Sequence, residues 1–469
     1  MIINQKDIII PPWISTHTYF YNTDKSRTYI NNEKRHTYLQ LDGLSSDFWY
    51  LLVQNDLQMF DSFINKNDLA NQVKTFIDML EKQGLIIYDL SELDNIEVFD
   101  DLEIINKKSD EDLESKFIQE RNDWLLENNF LASLFFELTY RCNLKCVHCY
   151  NPKNISYIEI PFEKIKEIID DAYDIGVFKI ILSGGESTTY TRFIELVKYI
   201  RYKKMSVEIF TNGQLLAVDD ALYNELVSIY PHQICLSLYS TKQEKHENVT
   251  GIPGSYKKTY ELIKKLRSDN VTVQIKNFLL NFTCDDCINV KNFADSIGAN
   301  DIADLSLIPT IEGDKKTFEY VVDDNNLFEL YVNPESPLYI GENPKFFDIE
   351  ENKDTSPCLG GYTGLCVSPT LDVNICVSMP KPLANLNNIS LKDLWNGAVT
   401  HNENNELYKW QKITNSDLKE CYKHEYCKFC HYCAGMAFLE NGYLKKSDIL
   451  CKQAIAKFKA YAYLKKKWK

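Results

Sequence analysis

Three cysteines lie within eight residues of one another, at Cys142, Cys146 and Cys149 in the stretch LTYRCNLKCVHCYN. They follow the apolar run SLFFEL, so a predicted β-strand ends where the thiols begin. A structural zinc site needs four protein ligands, and so does a closed iron–sulfur cluster. Three thiolates therefore predict a cluster in which one iron stays open to a substrate or cofactor. Half of a zinc site is the alternative interpretation.

The remaining cysteines are unevenly distributed along the chain. Of 14 cysteines in 469 residues, none precedes Cys142 and eight fall between Cys358 and Cys451. Eight thiols can complete two clusters of four thiolates, and a pair of zinc ribbons is the alternative, since CKFC could open one. Cys284 and Cys287 form a further pair without nearby partners, and we interpret them as partly buried structural residues.

The composition is that of a soluble globular protein, with 44% apolar and 25% charged residues. The net charge of -15 disfavours binding to nucleic acid or to an anionic membrane. The start of the chain lacks the features of a signal peptide, and no window is apolar enough to span a membrane. The sequence therefore predicts a cytoplasmic location, where cysteines stay reduced and bind metals more often than they form disulfides.

The triplet lies at the start of a region, residues 131–312, in which strands and helices alternate. Six β-prone runs, from LFFELT to DLSLIPT, are separated by helical patterns, which predicts a parallel sheet in an α/β fold. Ligands of such sheets bind at the carboxyl ends of the strands. Those ends read TYRC, SGGES, TNG and SLYS, which are polar or glycine-rich as a binding site requires.

The flanking regions divide the rest of the chain. Residues 1–95 contain a predicted hairpin, SRTYI with HTYLQL, and a helix that ends at Gly84, which indicates a winged-helix-like α+β domain. This domain has 8 Lys and Arg against 13 Asp and Glu, which disfavours DNA binding. We predict an acidic linker at 96–130, a connector at 313–354 and a cysteine-rich domain at 355–469.

The segment CNLKCVHC resembles the signature of radical S-adenosylmethionine (SAM) enzymes. The resemblance implies a partial (β/α)6 barrel and a [4Fe-4S] cluster whose open iron chelates SAM. It also implies that one electron breaks the sulfonium bond, so that a 5′-deoxyadenosyl radical takes a hydrogen atom from a substrate.

The resemblance further implies a set of SAM contacts. The segment SGGES matches the part of the family that accepts the methionine ammonium, with Ser187 where the family usually has proline. Other contacts would come from strand ends and from the residue before the third cysteine. For each, an ordinary turn, strand or loop residue is the alternative. The implied residues are Ser183, Gly184, Gly185, Glu186, Asn212, Ser237 and His148.

The cysteine-rich domain is similar to the SPASM extension of radical SAM enzymes that modify peptides. That similarity implies two auxiliary [4Fe-4S] clusters, and so three clusters in all. The distal cluster would use Cys427, Cys430, Cys433 and Cys451. The proximal cluster would use Cys358 and Cys376, with Cys366 and Cys421 as further ligands. Ala437 stands where the family often has another cysteine, so the division of ligands stays open.

Residues 1–95 resemble the recognition domain of enzymes that tailor ribosomally made precursor peptides. The resemblance implies that the leader of the precursor adds a strand to the edge of the small sheet. Backbone hydrogen bonds would supply affinity, and side-chain pockets would supply selectivity.

Together these features predict a radical SAM peptide maturase that forms a crosslink, whether thioether, carbon–carbon or ether. Its partners would be a precursor peptide and an external electron donor of the flavodoxin or ferredoxin type. Peptide epimerisation and sulfatase-type maturation are alternatives within the class, and a zinc-containing winged-helix binding module is the non-enzyme alternative. Spacing alone assigns no general base and does not identify the precursor.

Overall fold

The N-terminal part of the chain is a three-stranded antiparallel sheet with helices on its faces. The computed structural model describes residues 8–22, 25–55, 59, 63–64, 70–88, 107–152, 157–341, 354–421 and 423–467. The strands are β1 (Ile14–Asn22), β2 (Lys25–Asn32) and β3 (Thr37–Asp42), in the order β1-β2-β3. Strands β2 and β3 form the hairpin that the sequence indicates, whereas β1 was not foreseen. Helices α1 (Leu44–Gln54) and α2 (Ala70–Lys82) follow.

A third helix, α3 (Lys107–Glu127), lies in the segment predicted to be an acidic linker. Part of that segment falls outside the described residues, but the C-terminal half of the helix packs against the sheet. The ring of Tyr29 on β2 contacts Phe117 and Trp124 of α3, each at 6.0 Å between centroids. Leu125 is fully buried beside them. The sheet therefore has α1 on one face and α3 on the other, since Thr28 on the opposite face bonds Ser46 of α1.

Six parallel strands form the centre of the molecule, which confirms the predicted parallel sheet. They are β4 (Ser133–Glu137), β5 (Lys179–Ser183), β6 (Ser206–Thr211), β7 (Gln233–Ser237), β8 (Val273–Phe278) and β9 (Asn300–Asp304). Each strand pairs with its neighbours in chain order. The intervening helices are α4 (Phe162–Asp174), α5 (Phe193–Tyr202), α6 (Asp220–Ser228), α7 (Gln243–Thr250), α8 (Ser255–Ser268) and α9 (Cys287–Ile297).

The last of these strands lies earlier than the sequence suggests. The run DLSLIPT begins at Asp304, which is the final residue of β9. The ladder with β8 ends there, where the Leu279 amide bonds the Asp304 carbonyl at 2.8 Å. A tight turn follows, in which the Leu307 amide bonds the Leu305 carbonyl, and Pro309 has no amide to donate.

Alternation along the strands separates two faces of the sheet. Leu134 and Phe136 of β4 belong to the large apolar core shared with the helices. Phe135 and Glu137 point to the opposite side, which we call the inner face. Phe135 there contacts the ring of Phe210 on β6, with centroids 5.8 Å apart. The inner face is therefore the side on which a ligand can reach the strand ends.

The cysteine-rich region is joined to the same sheet rather than forming a separate layer. Strand β10 (Gly364–Val367) pairs in parallel with β4, and β11 (Asp372–Asn374) and β12 (Ala384–Asn385) extend the sheet to nine strands. The remaining helices are α10 (Asp324–Val332), α11 (Leu391–Val399), α12 (Glu406–Gln411), α13 (Ala434–Asn441) and α14 (Asp448–Lys467). Short 3-10 segments occur at Ser187–Thr189, Cys284–Asp286, Lys315–Tyr320, Asn415–Asp417 and Glu425–Phe429.

The N-terminal sheet lies at the amino ends of the parallel strands. The Thr16 amide of β1 donates to the Lys204 carbonyl at 2.7 Å, and Lys204 precedes β6. The Tyr19 hydroxyl donates to the Gly176 carbonyl at 2.9 Å, and Gly176 precedes β5. The cysteine triplet follows the carboxyl end of β4, so the N-terminal sheet and the triplet lie at opposite ends of the strands.

Within the described residues, no helix combines the length and apolar character that a membrane crossing requires.

We use the word barrel, after the fold that the family resemblance implies, for the six parallel strands β4–β9 with their helices. Replacing Leu125 with alanine should loosen α3, the N-terminal sheet and the barrel together, because this side chain is buried where they meet. We expect a loss of about 2–5 kcal/mol in the free energy of unfolding, as for other buried leucines. Urea unfolding followed by circular dichroism measures it. The exposed Glu120 on the same helix is the control, and Glu120→Ala should change stability by less than about 0.5 kcal/mol. Equal effects of the two substitutions would contradict the packing described.

Candidate active site

The three cysteines of the triplet lie close together in the loop after β4. Burial, followed by the neighbouring Cys149 and Cys142, raises the pKa of the Cys146 thiol to about 12. Burial likewise raises the pKa of Cys142 to about 11. Each thiol therefore hinders ionisation of the others, and a positively charged group between them is needed before they become thiolates. A cluster with three iron atoms facing three sulfur atoms meets that need.

Hydrogen-bond donors point at the first sulfur. The Leu144 amide lies 3.5 Å from the Cys142 Sγ atom, and the Asn212 Nδ2 atom lies 3.7 Å from it. Asn212 also donates to the Asn143 side chain at 2.6 Å. Donors of this kind favour the thiolate over the thiol. The structure thus places Asn212, at the carboxyl end of β6, directly beside the triplet.

The glycine pair of SGGES lies against the backbone that leads into the triplet. A Cβ atom on Gly184 would stand 2.4 Å from the Thr139 carbonyl oxygen, and one on Gly185 would stand 2.2 Å from that of Arg141. Gly184 also has a φ of +131°, which disfavours side chains. The Gly185 amide bonds the Thr139 carbonyl at 2.6 Å. These glycines therefore let two loops meet in the protein itself, whatever they do for a ligand.

Glu186 connects the ends of β5 and β6. It is buried, and its carboxylate accepts from the Thr188 amide at 3.1 Å and from the Asn212 amide at 2.6 Å. The Thr211 hydroxyl donates to it as well, at 2.5 Å. Burial raises the pKa of this carboxyl, although the hydrogen bonds oppose the shift. Ser187, where the family usually has proline, bonds the Phe210 carbonyl and so keeps the turn attached to β6.

His148 is half-buried in an aromatic pocket beside the triplet. Its ring lies 5.1 Å from that of Tyr239 and 5.5 Å from that of Phe278. Burial lowers its pKa to about 4, so the imidazole is neutral at physiological pH. Its Nδ1 atom is buried without a hydrogen-bond partner among the described residues. An unsatisfied polar atom at this position suits a ligand that supplies the missing partner.

Ser237 ends β7 on the inner face, near two residues that the sequence analysis missed. Tyr239 follows it in the chain, and its hydroxyl lies 3.5 Å from the His148 Nε2 atom. Lys276 is paired with Ser237 in the β7–β8 ladder. Its ammonium group lies 5.3 Å from the Phe210 ring centroid and forms no ion pair among the described residues. A cation beside the strand ends can bind a carboxylate. Lys276 is 39 positions from Ser237 in the sequence, so only the strand pairing shows that the two residues are neighbours.

Two carboxyls on the inner face have opposite environments. Glu137 ends β4, is buried, and accepts a hydrogen bond from the Tyr150 hydroxyl at 3.0 Å. Burial raises its pKa to about 7, which that hydrogen bond only partly opposes. Glu208 on β6 is also buried, but the Lys179 ammonium lies 2.9 Å away. The lysine outweighs burial and lowers the pKa of Glu208. Glu137 thus has a pKa suited to proton transfer near neutral pH.

One group of C-terminal cysteines lines a cavity of about 440 Å³. The cavity lies between the 3-10 segment Glu425–Phe429 and the start of α14, which pack against each other. Burial raises the pKa of Cys430 to about 12, with neighbouring thiols contributing. The four cysteines that line it are Cys421, Cys427, Cys430 and Cys451.

A second group lies by the β10–β11 hairpin. Burial raises the pKa of Cys376 to about 12, and the next contributors are Cys433 and Cys358. The Gly360 amide lies 3.3 Å from the Cys358 Sγ atom. Burial raises the pKa of Cys366 on β10 well above its usual value, and Glu137 and then the Cys376 thiol raise it further. Cys366 therefore lies near Cys376.

This arrangement exchanges two cysteines relative to the predicted division. Cys421 lies with Cys427, whereas Cys433 lies with Cys376. The reason is a close contact at Gly435, where a Cβ atom would stand 2.6 Å from the Ser378 carbonyl oxygen. That contact draws the start of α13, and Cys433 with it, to the hairpin. Among the described residues, no three His, Cys, Asp or Glu side chains are positioned to hold a single metal ion.

Comparison with known proteins gives the triplet its family context. Residues 136–285 match the sequence profile of the radical SAM superfamily. The chain contains a radical SAM domain. Such a domain implies SAM and a [4Fe-4S] cluster, and the residues around Cys142, Cys146 and Cys149 fit both.

Two curated relatives of this chain have names that indicate different functions. The chain is 27% identical over 324 residues to the antilisterial bacteriocin subtilosin biosynthesis protein AlbA of Bacillus subtilis, and this alignment covers 64% of the chain and 66% of AlbA. It is 26% identical over 340 residues to an AdoMet-dependent heme synthase of Methanosarcina barkeri, covering 67% of this chain and 95% of that protein. These relatives do not by themselves define the substrate.

A solved structure shares the fold over nearly the whole of this chain. Streptococcus suis SuiB bound to its precursor peptide SuiA superimposes with a TM-score of 0.55 at 16% identity. The superposition covers 95% of this chain and 99% of SuiB. The likeness concerns the fold, and it includes the regions outside residues 136–285.

Replacing Gly185 with alanine should displace the triplet, because the new Cβ atom would overlap the Arg141 carbonyl. We expect loss of about four iron atoms per chain and SAM binding at least about tenfold weaker. Iron analysis and equilibrium binding of SAM measure the two effects. Gly254→Ala is the control: its φ of +79° strains the backbone locally, but a Cβ atom there meets nothing within 4 Å, so iron content and SAM binding should not change. Normal iron content in the Gly185 variant would refute the close contact.

The two inner-face carboxyls should respond oppositely to pH. The folded-state pKa of Glu137, about 7, lies above its usual value, so the wild-type stability falls as pH rises towards and through 7. Glu137→Gln removes that loss and should stabilise the protein at pH 8.5 by an amount on the order of 2 kcal/mol, with little effect at pH 4, below the usual carboxyl pKa. Glu208→Gln should destabilise at pH 8.5, because it leaves Lys179 unpaired. Urea unfolding at both pH values tests this, and a destabilised Glu137→Gln protein at pH 8.5 would contradict it.

Proposed function

We propose that this protein is a radical SAM enzyme that modifies a ribosomally made precursor peptide, forming a crosslink within it. The observation that carries the proposal is the convergence of three thiols, Asn212 and the buried Glu186 at the carboxyl ends of the strands. Two observations support a peptide substrate. One is the N-terminal sheet, and the other is that the proteins similar to this chain include AlbA, a bacteriocin biosynthesis protein, and SuiB, whose structure has a precursor peptide bound.

Residues of the radical SAM domain would hold the cofactors. Cys142, Cys146 and Cys149 would hold the [4Fe-4S] cluster. The other contacts we propose for SAM are Ser183, Gly184, Gly185, Glu186, Asn212, Ser237 and His148. When bound, the cluster and SAM supply a 5′-deoxyadenosyl radical that takes a hydrogen atom from the peptide.

The side chains around the site have roles of their own. Glu186 holds the ends of β5 and β6 together, so that the glycine segment and Asn212 keep one geometry. The neutral imidazole of His148 and the ring of Phe278 form an apolar wall that excludes water. Glu137, with its raised pKa, can accept the proton that crosslinking releases from the peptide.

Two auxiliary [4Fe-4S] clusters are part of the proposal, with the division of ligands that the structure favours. One would be held by Cys421, Cys427, Cys430 and Cys451. The other would be held by Cys358, Cys376 and Cys433, with Cys366 as the fourth ligand. A crosslinked peptide has lost two hydrogens, so an electron acceptor is required, and an auxiliary cluster can serve. A flavodoxin or ferredoxin in the cytoplasm would exchange electrons with the enzyme.

The N-terminal sheet would bind the leader of the precursor. Strand β3 has no second neighbouring strand among the described residues. Leu39 on this strand and Phe76 and Met79 on α2 are only partly buried against the same apolar core. An edge strand with partly exposed apolar side chains is the arrangement that binds an added peptide strand. The backbone would give affinity and the apolar side chains would select the leader.

The decisive experiment is anaerobic reduction of the enzyme with SAM and a co-expressed precursor. Formation of 5′-deoxyadenosine with loss of two hydrogens from the peptide supports the proposal. No change in mass, with deuterium gained from heavy water, would instead indicate epimerisation. SAM left intact by a reduced, iron-loaded enzyme would overturn the radical proposal, and full activity without residues 1–95 would favour sulfatase-type maturation.

Iron content tests the proposed division of cysteines. The wild type should hold about 12 iron atoms per chain. Replacing Cys421 and Cys427 together should remove one cluster and leave about eight, and so should replacing Cys376 and Cys433 together. Replacing Cys421 and Cys433 together should impair both auxiliary clusters and lower the iron content further. Equal losses in all three double variants would refute the exchanged assignment.

Met79→Glu should weaken leader binding, because it introduces a charge among the partly buried apolar side chains proposed to select the leader. We expect at least about tenfold weaker binding of the precursor, with SAM cleavage in its absence unchanged. Fluorescence anisotropy with a labelled precursor measures the binding. The exposed Asp78 precedes it on α2, and Asp78→Ala is the control. Undiminished binding by the Met79 variant would place the leader elsewhere.

A further inference from the structure

A buried polar network joins the N-terminal sheet to the barrel. Arg201, on α5, is 6% exposed, and Glu33, which follows β2, is 5% exposed. The Arg201 guanidinium donates to the Pro12 carbonyl and the Met205 carbonyl, each at 2.8 Å. It also donates to the Ser15 hydroxyl on β1. We call Ser15, Glu33, Arg201 and His232 the docking network.

Glu33 completes this network from the opposite side. The Ser15 hydroxyl donates to one carboxylate oxygen, and the His232 Nδ1 atom lies 2.8 Å from the other. Burial raises the pKa of Glu33, but His232 and Arg201 more than offset it, so the pKa lies at about 2. Glu33 is therefore ionised at physiological pH. One acidic group from the sheet thus faces an arginine and a histidine from the barrel.

Further contacts lie around the network and all reach the same end of the barrel. His36 bonds the Thr272 hydroxyl at 3.2 Å, and Thr272 immediately precedes β8. The Thr16 and Tyr19 bonds described above reach residues before β6 and β5. His232, which binds Glu33, immediately precedes β7. The N-terminal sheet therefore contacts residues that lie just before four successive parallel strands, β5 to β8. A hinged attachment at one point would not have this distribution.

Such a network fixes orientation more than it adds stability. Taking charged groups out of water costs about as much as their pairing returns, so a buried ion pair is weak evidence of stability. Its directional hydrogen bonds are satisfied in one register only. The sheet is therefore held in one position, at the amino ends of the strands, while the triplet lies at their carboxyl ends.

We infer that the docking network holds the leader-binding sheet rigidly at the far end of the barrel, and thereby sets a minimum distance between the leader and the residue that is modified. This inference rests on the proposed function. Ser15, Glu33, Arg201 and His232 would be positioning residues that determine where along the precursor the chemistry occurs.

The distance follows from the strands. A strand of five or six residues spans about 17–20 Å, and the adjoining sheet layer adds about 10 Å. An extended chain advances about 3.3–3.6 Å per residue. A peptide that leaves β3 and passes outside the barrel therefore needs about nine residues or more to reach the triplet. Positions closer to the leader should remain unmodified.

Hydrogen–deuterium exchange of the full-length enzyme tests the attachment without any precursor. Arg201→Met and Glu33→Gln should each speed exchange of the Thr16 and Glu33 amides at least tenfold. Arg192→Met is the matched control, because Arg192 precedes the same helix but forms exposed ion pairs with Glu163 and Glu195. It should leave exchange unchanged. Unchanged exchange in both docking variants would overturn the inference.

The spacing is tested with the co-expressed precursor, shortened one residue at a time between leader and core. Mass spectrometry should show that the wild type stops modifying residues within about nine positions of the leader. Arg201→Met should modify a wider set of positions, and Arg201→Lys should restore the wild-type pattern. A variant that only lowers yield, at unchanged positions, would indicate a merely structural role and overturn the inference. If the wild type modifies no precursor at all, the proposed function fails, while the exchange experiment still decides the attachment.

Discussion

The contact of two backbone segments, without room for side chains between them, is the constraint on which the site depends. Gly184 and Gly185 meet the backbone of Thr139 and Arg141 so closely that a Cβ atom on either glycine would overlap a carbonyl oxygen. The amide of Glu186 then bonds the Arg141 carbonyl at 2.7 Å. This contact fixes the segment that runs into the cysteine triplet relative to β5 and β6. Any ligand held by the triplet therefore lies at a fixed distance from the ends of these strands.

Electrostatics keeps the clustered cysteines protonated until a cationic group binds between them. Desolvation and neighbouring thiols raise the pKa of Cys142 and of Cys146, so a cationic group beside them favours the thiolate form. The same holds for Cys376 and Cys430 at the two C-terminal groups. The chain thus places clusters of weakly acidic thiols in rigid surroundings. Metal binding and the release of protons are coupled in such sites.

The sequence predicted those parts of the fold that depend on local pattern. The alternation of strand-like and helical runs predicted the parallel sheet, although its sixth strand lies earlier than expected. The resemblance of the segment from Cys142 to Cys149 to the radical SAM signature predicted the radical SAM domain. What it missed depends on contacts between distant positions. The pairing of Cys366 with Phe135 that joins the C-terminal region to the sheet spans 231 positions. The position of Cys433 beside Cys376 depends on one close contact of Gly435 with Ser378, and neither contact leaves a periodic signal.

The helix α3 shows how a polar segment can still be structural. Its composition is that of a solvated linker, yet Phe117, Trp124 and Leu125 place three apolar groups on the face towards the sheet. Arg121 lies over the ring of Phe178, which precedes β5, with 4.9 Å between the guanidinium carbon and the ring centroid. The segment therefore connects the N-terminal sheet to the barrel by packing as well as by sequence. That sheet is held by α3 on one face and by the contacts of β1 with the residues before the parallel strands, so its position is fixed. Under the proposed function, a bound precursor would therefore have to span the distance from the sheet to the triplet.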